Sequence, residues 1–389
     1  MNRFNLARAD ERQVLPHSPG SALAEGFHYC SWRSIDIGAI EPSWLALAHR
    51  ASTPNAFFEM GFLLPSLAIF DPEGSVTLAL LVDEGELRGL MPLIDRESYH
   101  GRATPHRSSW LHANMFCGAP LIEKGYEEAF WSAFLLATDR NPGTAWFLNL
   151  PQMPLHCAAT RVLRKTCRRE GRPLQIVHRH FRAILNTGTT PQDYLSQAMP
   201  AKSRKELRRQ RRRLEELGAV EIVRTRSCTG LVRWIDDFLV LEAKGWKGAG
   251  GSSLASDTHT AALFLAAMRR IAEEGRLERL TLTLDGRPIA MLATLLAPPG
   301  SFAFKTAFDE DYARFSPGMQ LQVENLALLE DHALEWCDSC AAQGHPMIER
   351  IWSERHEVVS LSIAVGRGWR RWVGALWARA EAWRMERRQ

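Results

Sequence analysis

The chain has 389 residues, 46% of them apolar and 24% charged, with a net charge of +4. That length is enough for two domains of ordinary size, and the composition is that of a folded globular protein, which excludes disordered, fibrous and disulfide-scaffold classes. No apolar run approaches the roughly 20 residues needed to cross a bilayer, and seven scattered cysteines, an odd number, point to a reducing compartment.

Residues 1–25 are polar, with Pro and Gly, and read as an irregular lead-in without the apolar core of an export signal, which predicts a cytoplasmic protein. Helical spacing begins at Trp44, Leu45, Leu47 and Ala48. A hairpin follows: strand 76–82, a tight turn at Asp83-Glu84-Gly85-Glu86 and a return strand 87–93. Next come a strand-like segment 110–117, a turn at Gly118-Ala119-Pro120, a helix 126–138, a strand 146–150 that stops at Pro151, a basic helix 153–169 and a strand 175–185. The chain breaks at 187–190. Thr190-Pro191-Gln192-Asp193 then opens a helix, and a long helix 201–217 ends at Gly218. Strand 220–225, helix 228–245, a Gly/Ser loop 248–253 and helix 258–274 lead to a second hairpin, 277–284 and 288–296, around Asp285-Gly286-Arg287. Strand 301–308, a loop 309–318 and a helix to about Trp336 complete the series.

The two halves repeat one grammar of helices, a hairpin with an acidic-Gly turn, a strand, a loop and a helix. The expected fold is therefore α/β (α+β), with two related lobes at 26–187 and 188–365. Each lobe is a mixed, mostly antiparallel sheet flanked by helices. An amphipathic basic helix is expected at 366–389.

Four stretches of the second half resemble the acetyltransferase domain of CelD-type (cellulose-biosynthesis) proteins. This is a GNAT-superfamily domain related to the two-lobed FemAB peptidyltransferases. The stretches are the basic helix from Ala201 to Gly218, Leu241-Glu242-Ala-Lys-Gly-Trp246-Lys247-Gly248, Phe304-Lys305-Thr-Ala-Phe308-Asp309, and Tyr312-Ala-Arg314-Phe-Ser316-Pro317-Gly318. In the first half, Asn55-Ala-Phe57-Phe58 and Gly118-Ala-Pro120-Leu121 are similar to the same family. One departure stands out. The family commonly has Asp-Phe/Leu-x-x-Gly…Tyr-Lys after the long helix, whereas 348–357 here reads Ile-Glu-Arg-Ile-Trp-Ser-Glu-Arg-His-Glu.

The resemblance implies an acyl-CoA-dependent N-acyltransferase, with acetyl-CoA or a longer thioester as co-substrate and a small-molecule or envelope-polysaccharide amine as acceptor. No metal is expected. Two alternatives are a FemAB-like transferase using aminoacyl-tRNA and a catalytically inactive scaffold at the membrane surface. A helix N-terminus presents unsatisfied N–H groups and positive dipole charge, so it suits a pyrophosphate. Arg314, Ser316, Pro317, Gly318 and Met319 fit that loop, with Ser316 as the cap, and Lys305 stands on the strand before it. Attack of an amine on a thioester needs a base, oxyanion donors and an acid. Glu242 or Asp309 is the candidate base and Tyr312 the candidate acid; the plain alternatives are a helix-face ion pair, a turn cap and a loop anchor. Trp246 and Lys247 are candidates for the acceptor pocket, or else a helix end packed on the core.

Helix 202–217 carries eight Lys and Arg against three Glu. It reads as a solvated face, as a site for CoA phosphate or an anionic acceptor, or as a nucleic-acid surface. His332, Cys337, Cys340 and His345 have zinc-ligand types at atypical spacing, so ordinary thiols are expected there. In the tail, Trp369, Trp372, Val373, Leu376, Ala380 and Trp383 share one helical face amid arginines. Packing of that face on the second lobe is the expectation, and a peripheral contact with the inner face of the membrane is the alternative.

Overall fold

The computed structural model of the chain describes residues 24–245, 251 and 253–386. Thirteen strands among these residues form one sheet. In chain order they are β1 (Gly26–Ser31), β2 (Thr77–Asp83), β3 (Glu86–Arg96), β4 (His106–Ser109), β5 (Leu121–Ile122), β6 (Phe147–Pro154), β7 (Leu174–Asn186), β8 (Val220–Thr225), β9 (Leu277–Leu284), β10 (Arg287–Ala297), β11 (Gly300–Phe308), β12 (Trp336–Asp338) and β13 (Glu354–Ala364). Across the sheet they run β1-β2-β3-β4-β6-β13-β7-β12-β11-β10-β9-β8, with β5 paired to β3.

Both edges lead inward in the same way. β1 to β4 form one antiparallel meander and β8 to β11 another. Each hairpin turns through two left-handed residues, Glu84-Gly85 (φ 55° and 74°) and Asp285-Gly286 (φ 49° and 76°), the backbone that matches strand twist. β4 then pairs in parallel with β6, and β11 in parallel with β12. Parallel neighbours need a crossover, here carried by helices Glu127–Arg140 and Pro317–Asn325. At the centre the lobes exchange strands. β13, from the end of the chain, lies between β6 and β7, while β7, from the first lobe, lies between β13 and β12.

The core follows this exchange. On one face a single apolar cluster runs through both lobes: Phe57 meets Phe302 and Phe304 at 5.1 and 6.0 Å between ring centroids, and Phe62 meets Phe304 at 5.5 Å. A smaller cluster containing Leu282, Leu292, Leu321 and Trp352 occupies the second lobe.

Several sequence expectations shift. The segment 110–117 is irregular, and the strand lies earlier, at β4. Its apolar residues Trp110, Met115 and Cys117 are buried all the same, which is why the segment reads as a strand. β6 runs through Pro151 to Pro154 because the pairing with β13 shifts register there and Gln152 takes φ 56°; a bulge tolerates the missing proline N–H. The helix expected to reach Trp336 stops at Asn325, a 3-10 turn covers Leu326–Glu330, and Trp336 begins β12. Leu326, Leu328, Leu329 and Leu334 are all buried, so the apolar spacing gave no sign of this break.

The two lobes also meet through buried charge. Arg276 donates to Glu59, and both side chains are buried. Glu274 lies beside them, so close to helix Met60–Phe70 that a Cβ on Gly61 would stand 2.9 Å from each of its carboxylate oxygens. Burial raises the Glu274 carboxyl and the Glu59 carboxylate raises it further, against Arg270 and Arg276, to about 7 from an ordinary 4.5. A raised carboxyl stabilises the fold as the protonated form, fully below its unfolded value, and that contribution is lost as pH rises through the folded value. Glu274→Gln is therefore expected to raise stability by about 3 kcal/mol near pH ~8 and to change little near pH ~4. Denaturant unfolding at the two pH values checks this, and equal effects at both would contradict it.

Candidate functional site

β11 and β12 separate soon after they meet. On β11 the pairing with β12 covers Gly300, Ser301 and Phe302, and beyond Phe302 no described strand covers that edge of β11. On the other edge the pairing with β10 jumps from Thr294↔Ala303 to Ala293↔Lys305, so Phe304 is a bulge residue, and a bulge bends its strand. The result is an opening along this edge of β11 that no described strand fills. At its far end the chain passes through a 3-10 turn, Glu310–Phe315, into the helix Pro317–Asn325.

The first lobe has the same parallel contact between β4 and β6 but no such opening. Residues 110–119 fill it. Gly118 N–H donates to the Gln152 carbonyl at 2.8 Å, and a side chain on Gly118 would collide with the Pro151 carbonyl. Asn55 fixes the same segment: its amide donates to the Cys117 and Ala119 carbonyls at 3.2 and 2.7 Å, while its oxygen accepts from Phe57 N–H at 3.0 Å. The two first-half motifs are thus one structural unit. That unit also walls the second lobe's opening, with Phe116 against Phe304 at 6.2 Å and Lys305 Nζ 5.6 Å from the Phe116 ring.

The loop residues come together as follows. Arg314 is exposed, Pro317 and Gly318 are buried, and Met319 is half-buried. Ser316 sits at φ 52°, ψ 52°, and its hydroxyl makes no cap bond; its carbonyl instead accepts the first intrahelical bond, from Gln320 N–H at 3.0 Å. The N–H groups of Gly318 and Met319 precede that bond and have no partner in the helix. The basic helix Ala201–Glu215 packs alongside, with Gln210 donating to the Arg314 carbonyl at 3.3 Å.

The other candidates lie at the end of β11. Asp309 is 0% exposed, accepts from Lys244 at 2.9 and 3.1 Å and from Arg287 at 3.3 Å, and caps Asp311 N–H. Glu242, 4% exposed, accepts from Leu254 N–H at 2.8 Å. Tyr312 packs against the smaller apolar cluster. Trp246 and Lys247 lie outside the described residues.

A group that the sequence reading missed stands at the mouth of the opening, where β12 ends. Asp338 is buried and touches three partners: Arg182 of β7 at 3.1 Å, His356 of β13 at 2.9 Å and the Cys340 N–H at 2.7 Å. Burial would raise its carboxyl, but the Arg182 guanidinium, with His356 and the Cys340 N–H, outweighs burial and holds it at about 2. Arg182 also donates to the Phe116 carbonyl and to Gln152, both at 2.7 Å. Burial, then Arg182 and His178, lower His180 to about 4, and burial with the Lys305 charge lowers His112 to about 4, so both imidazoles are neutral at neutral pH. Burial pushes the Cys337 thiol up to about 12 and the Cys340 thiol well above its ordinary value, so neither is a thiolate nucleophile.

Two signals pointed here: His178 and His180 alternate on one strand, and an aspartate ends the strand after the helix. The second was hidden because an overlong helix moved the comparison to 348–357. The strand after the helix instead ends at Asp338. Among the described residues no group of three His, Cys, Asp or Glu side chains is placed to hold a metal. A separate cavity of ≈ 160 Å³ lies where the lobes meet and is lined by Glu59, Glu274 and Arg276.

Residues 201–344, within the second lobe, match the family model of the acetyltransferase (GNAT) domain. Nearly the whole chain shares its fold with FemX (TM-score 0.54, 9% identity, 82% of this chain and 95% of that one). It is similar also to a conserved protein of unknown function from Bacteroides thetaiotaomicron (TM-score 0.53, 11% identity, 85% and 98%). A third likeness is to the C-terminal domain of an Agrobacterium fabrum protein described as a lysylphosphatidylglycerol synthetase (TM-score 0.51, 13% identity, 86% and 93%). No curated protein matches. The chain as a whole thus shares the two-lobed fold of these structures, and residues 201–344 within it match the GNAT domain model.

Proposed function

We propose that the chain is an acyl-CoA-dependent N-acyltransferase with one donor site, in the second lobe. The observation that carries this reading is the separation of β11 from β12, which opens a gap beside β11 that ends at a helix N-terminus. An extended pantetheine can pair with such an edge as an added strand would, and the pyrophosphate meets the N–H groups of Gly318 and Met319. Arg314 and the adjacent basic helix supply cations for the remaining phosphate charge. The thioester carbonyl then lies near the Phe304 bulge, where backbone N–H groups of β11 serve as the oxyanion donors.

His356 is the base that the geometry favours. Asp338 lies 2.9 Å from its Nε2, and a carboxylate there favours the tautomer protonated on Nε2, with Nδ1 as the proton acceptor. Its side chain is 21% exposed, whereas Asp309 is shut in and held by two cations. The acceptor amine attacks the thioester carbon, the C–S bond breaks, the ammonium proton passes to His356, and the CoA thiolate takes up a proton. The CelD-type resemblance favours an envelope-polysaccharide precursor as acceptor.

The whole-chain likeness to FemX favours a second reading, an aminoacyl-tRNA donor bound through helix Ala201–Glu215. Thermal shift with acetyl-CoA, in parallel with tRNA binding at rising salt, separates the two. Stabilisation by the thioester with weak tRNA binding supports the first; tight, steeply salt-dependent tRNA binding with no thioester effect supports the second.

A further inference from the structure

The C-terminal helix, Trp369–Glu386, is oriented opposite to the sequence expectation. The face that packs on the sheet holds small residues and one tryptophan: Ala378 is fully buried, Gly374 lies so close that a side chain would collide with the Trp146 carbonyl, and Trp377 stacks on Phe147 at 6.5 Å between centroids. Arg371 locks this orientation by pairing with the buried Asp139 at 2.6 Å. Trp369, Trp372 and Leu376 therefore point outward, at 71%, 71% and 54% exposure. At 100° per residue they share an arc of about 60°, and Trp383, 51% exposed, falls on the same arc.

An apolar face this exposed marks an interaction surface, and its surroundings identify the partner. Arg367 and Arg379 are exposed beside it, and Arg370 and Arg384 are half-buried at its flanks, against Glu381 as the acidic neighbour that pairs with Arg384. Tryptophan prefers the headgroup level of a bilayer, where an apolar ring with one N–H is matched on both sides, and arginines beside it attract anionic lipid. A helix of 18 residues spans about 27 Å, long enough to lie flat in the interface. No described helix is long and apolar enough to cross a membrane. We infer that the Trp369–Trp372–Leu376 face of the C-terminal helix docks the protein on the surface of an anionic phospholipid bilayer. This rests on the orientation of the helix and is independent of the donor reading.

The test is co-sedimentation of the full chain with vesicles of 30% phosphatidylglycerol in phosphatidylcholine, and with pure phosphatidylcholine. Binding to the anionic vesicles at least ~10-fold stronger than to neutral ones, and weakening as salt rises, is expected. Trp369→Ser/Trp372→Ser/Leu376→Ser should lower that binding by ~10-fold or more, with an unchanged melting temperature because these side chains are exposed. Arg367→Glu/Arg379→Glu should lower anionic binding while keeping the tryptophans, which separates docking from loss of fold. Wild-type binding no stronger to anionic than to neutral vesicles, or no loss in the triple variant, would overturn the inference. So would a stable dimer in solution that the triple variant converts to a monomer, since a second copy would then own the face.

Discussion

Replacing His356 with asparagine is expected to lower kcat by about 10²- to 10⁴-fold, the usual contribution of a positioned proton acceptor, with acetyl-CoA binding unchanged. Asparagine keeps the size and polarity of the side chain but has no nitrogen that takes a proton near neutral pH. Asp338 keeps two of its partners in this variant, Arg182 at 3.1 Å and the Cys340 N–H at 2.7 Å. The effect should therefore appear in the chemical step, in kcat and not in thioester binding. Steady-state rates with a permissive amine such as glucosamine, read beside thioester binding, check this. A variant with normal kcat would remove His356 from the chemistry and leave the Asp338 group as a structural tie between β7, β12 and β13.

Replacing Gly318 with valine is expected to weaken acetyl-CoA binding on the order of 100-fold, about 2.7 kcal/mol. A Cβ at this position would stand 2.8 Å from Met347 Sδ and 3.2 Å from Phe308 Cδ1. The first turn of the helix must then shift, and its N–H groups lose their aim at the phosphates. Overpacking of this kind also costs about 1–3 kcal/mol of stability. The two effects can be told apart by adding Met347→Ala, which removes the sulfur. Stability should recover, and binding should not, because the valine still fills the approach to the helix end. Full recovery of binding in the double variant, measured by isothermal titration, would place the pyrophosphate elsewhere.

Much of the fold was legible because it is written in local chemistry. Hairpin turns declare themselves through Glu84-Gly85 and Asp285-Gly286, and the break before the second lobe through Thr190-Pro191, where the Thr190 hydroxyl caps Asp193 N–H at 3.1 Å. What stayed hidden depends on distant partners. Alternation in β13 says that it is a strand but not that it lies between β6 and β7, and no local residue encodes that exchange. The C-terminal helix shows the same limit. Its apolar stripe suggested burial, yet glycine and alanine allow closer approach to the sheet than tryptophan, so the small-residue face packs and the aromatic face does not. The start of the helix Pro317–Asn325 was visible because Ser-Pro-Gly before an apolar helix is local grammar. The Asp338–His356–Arg182 group was not, because its members come from three strands far apart in sequence, and pairing alone brings them together.

The decisive measurement is the stoichiometry of acetyl-CoA binding to the full chain by isothermal titration calorimetry. One molecule per chain, bound on the order of 100-fold more weakly in Gly318→Val, is expected, since among the described residues no strand covers the edge of β11 beyond Phe302, while residues 110–119 fill the counterpart in the first lobe. No binding at millimolar thioester, or two equivalent sites per chain, would contradict a single acyl-CoA site in the second lobe.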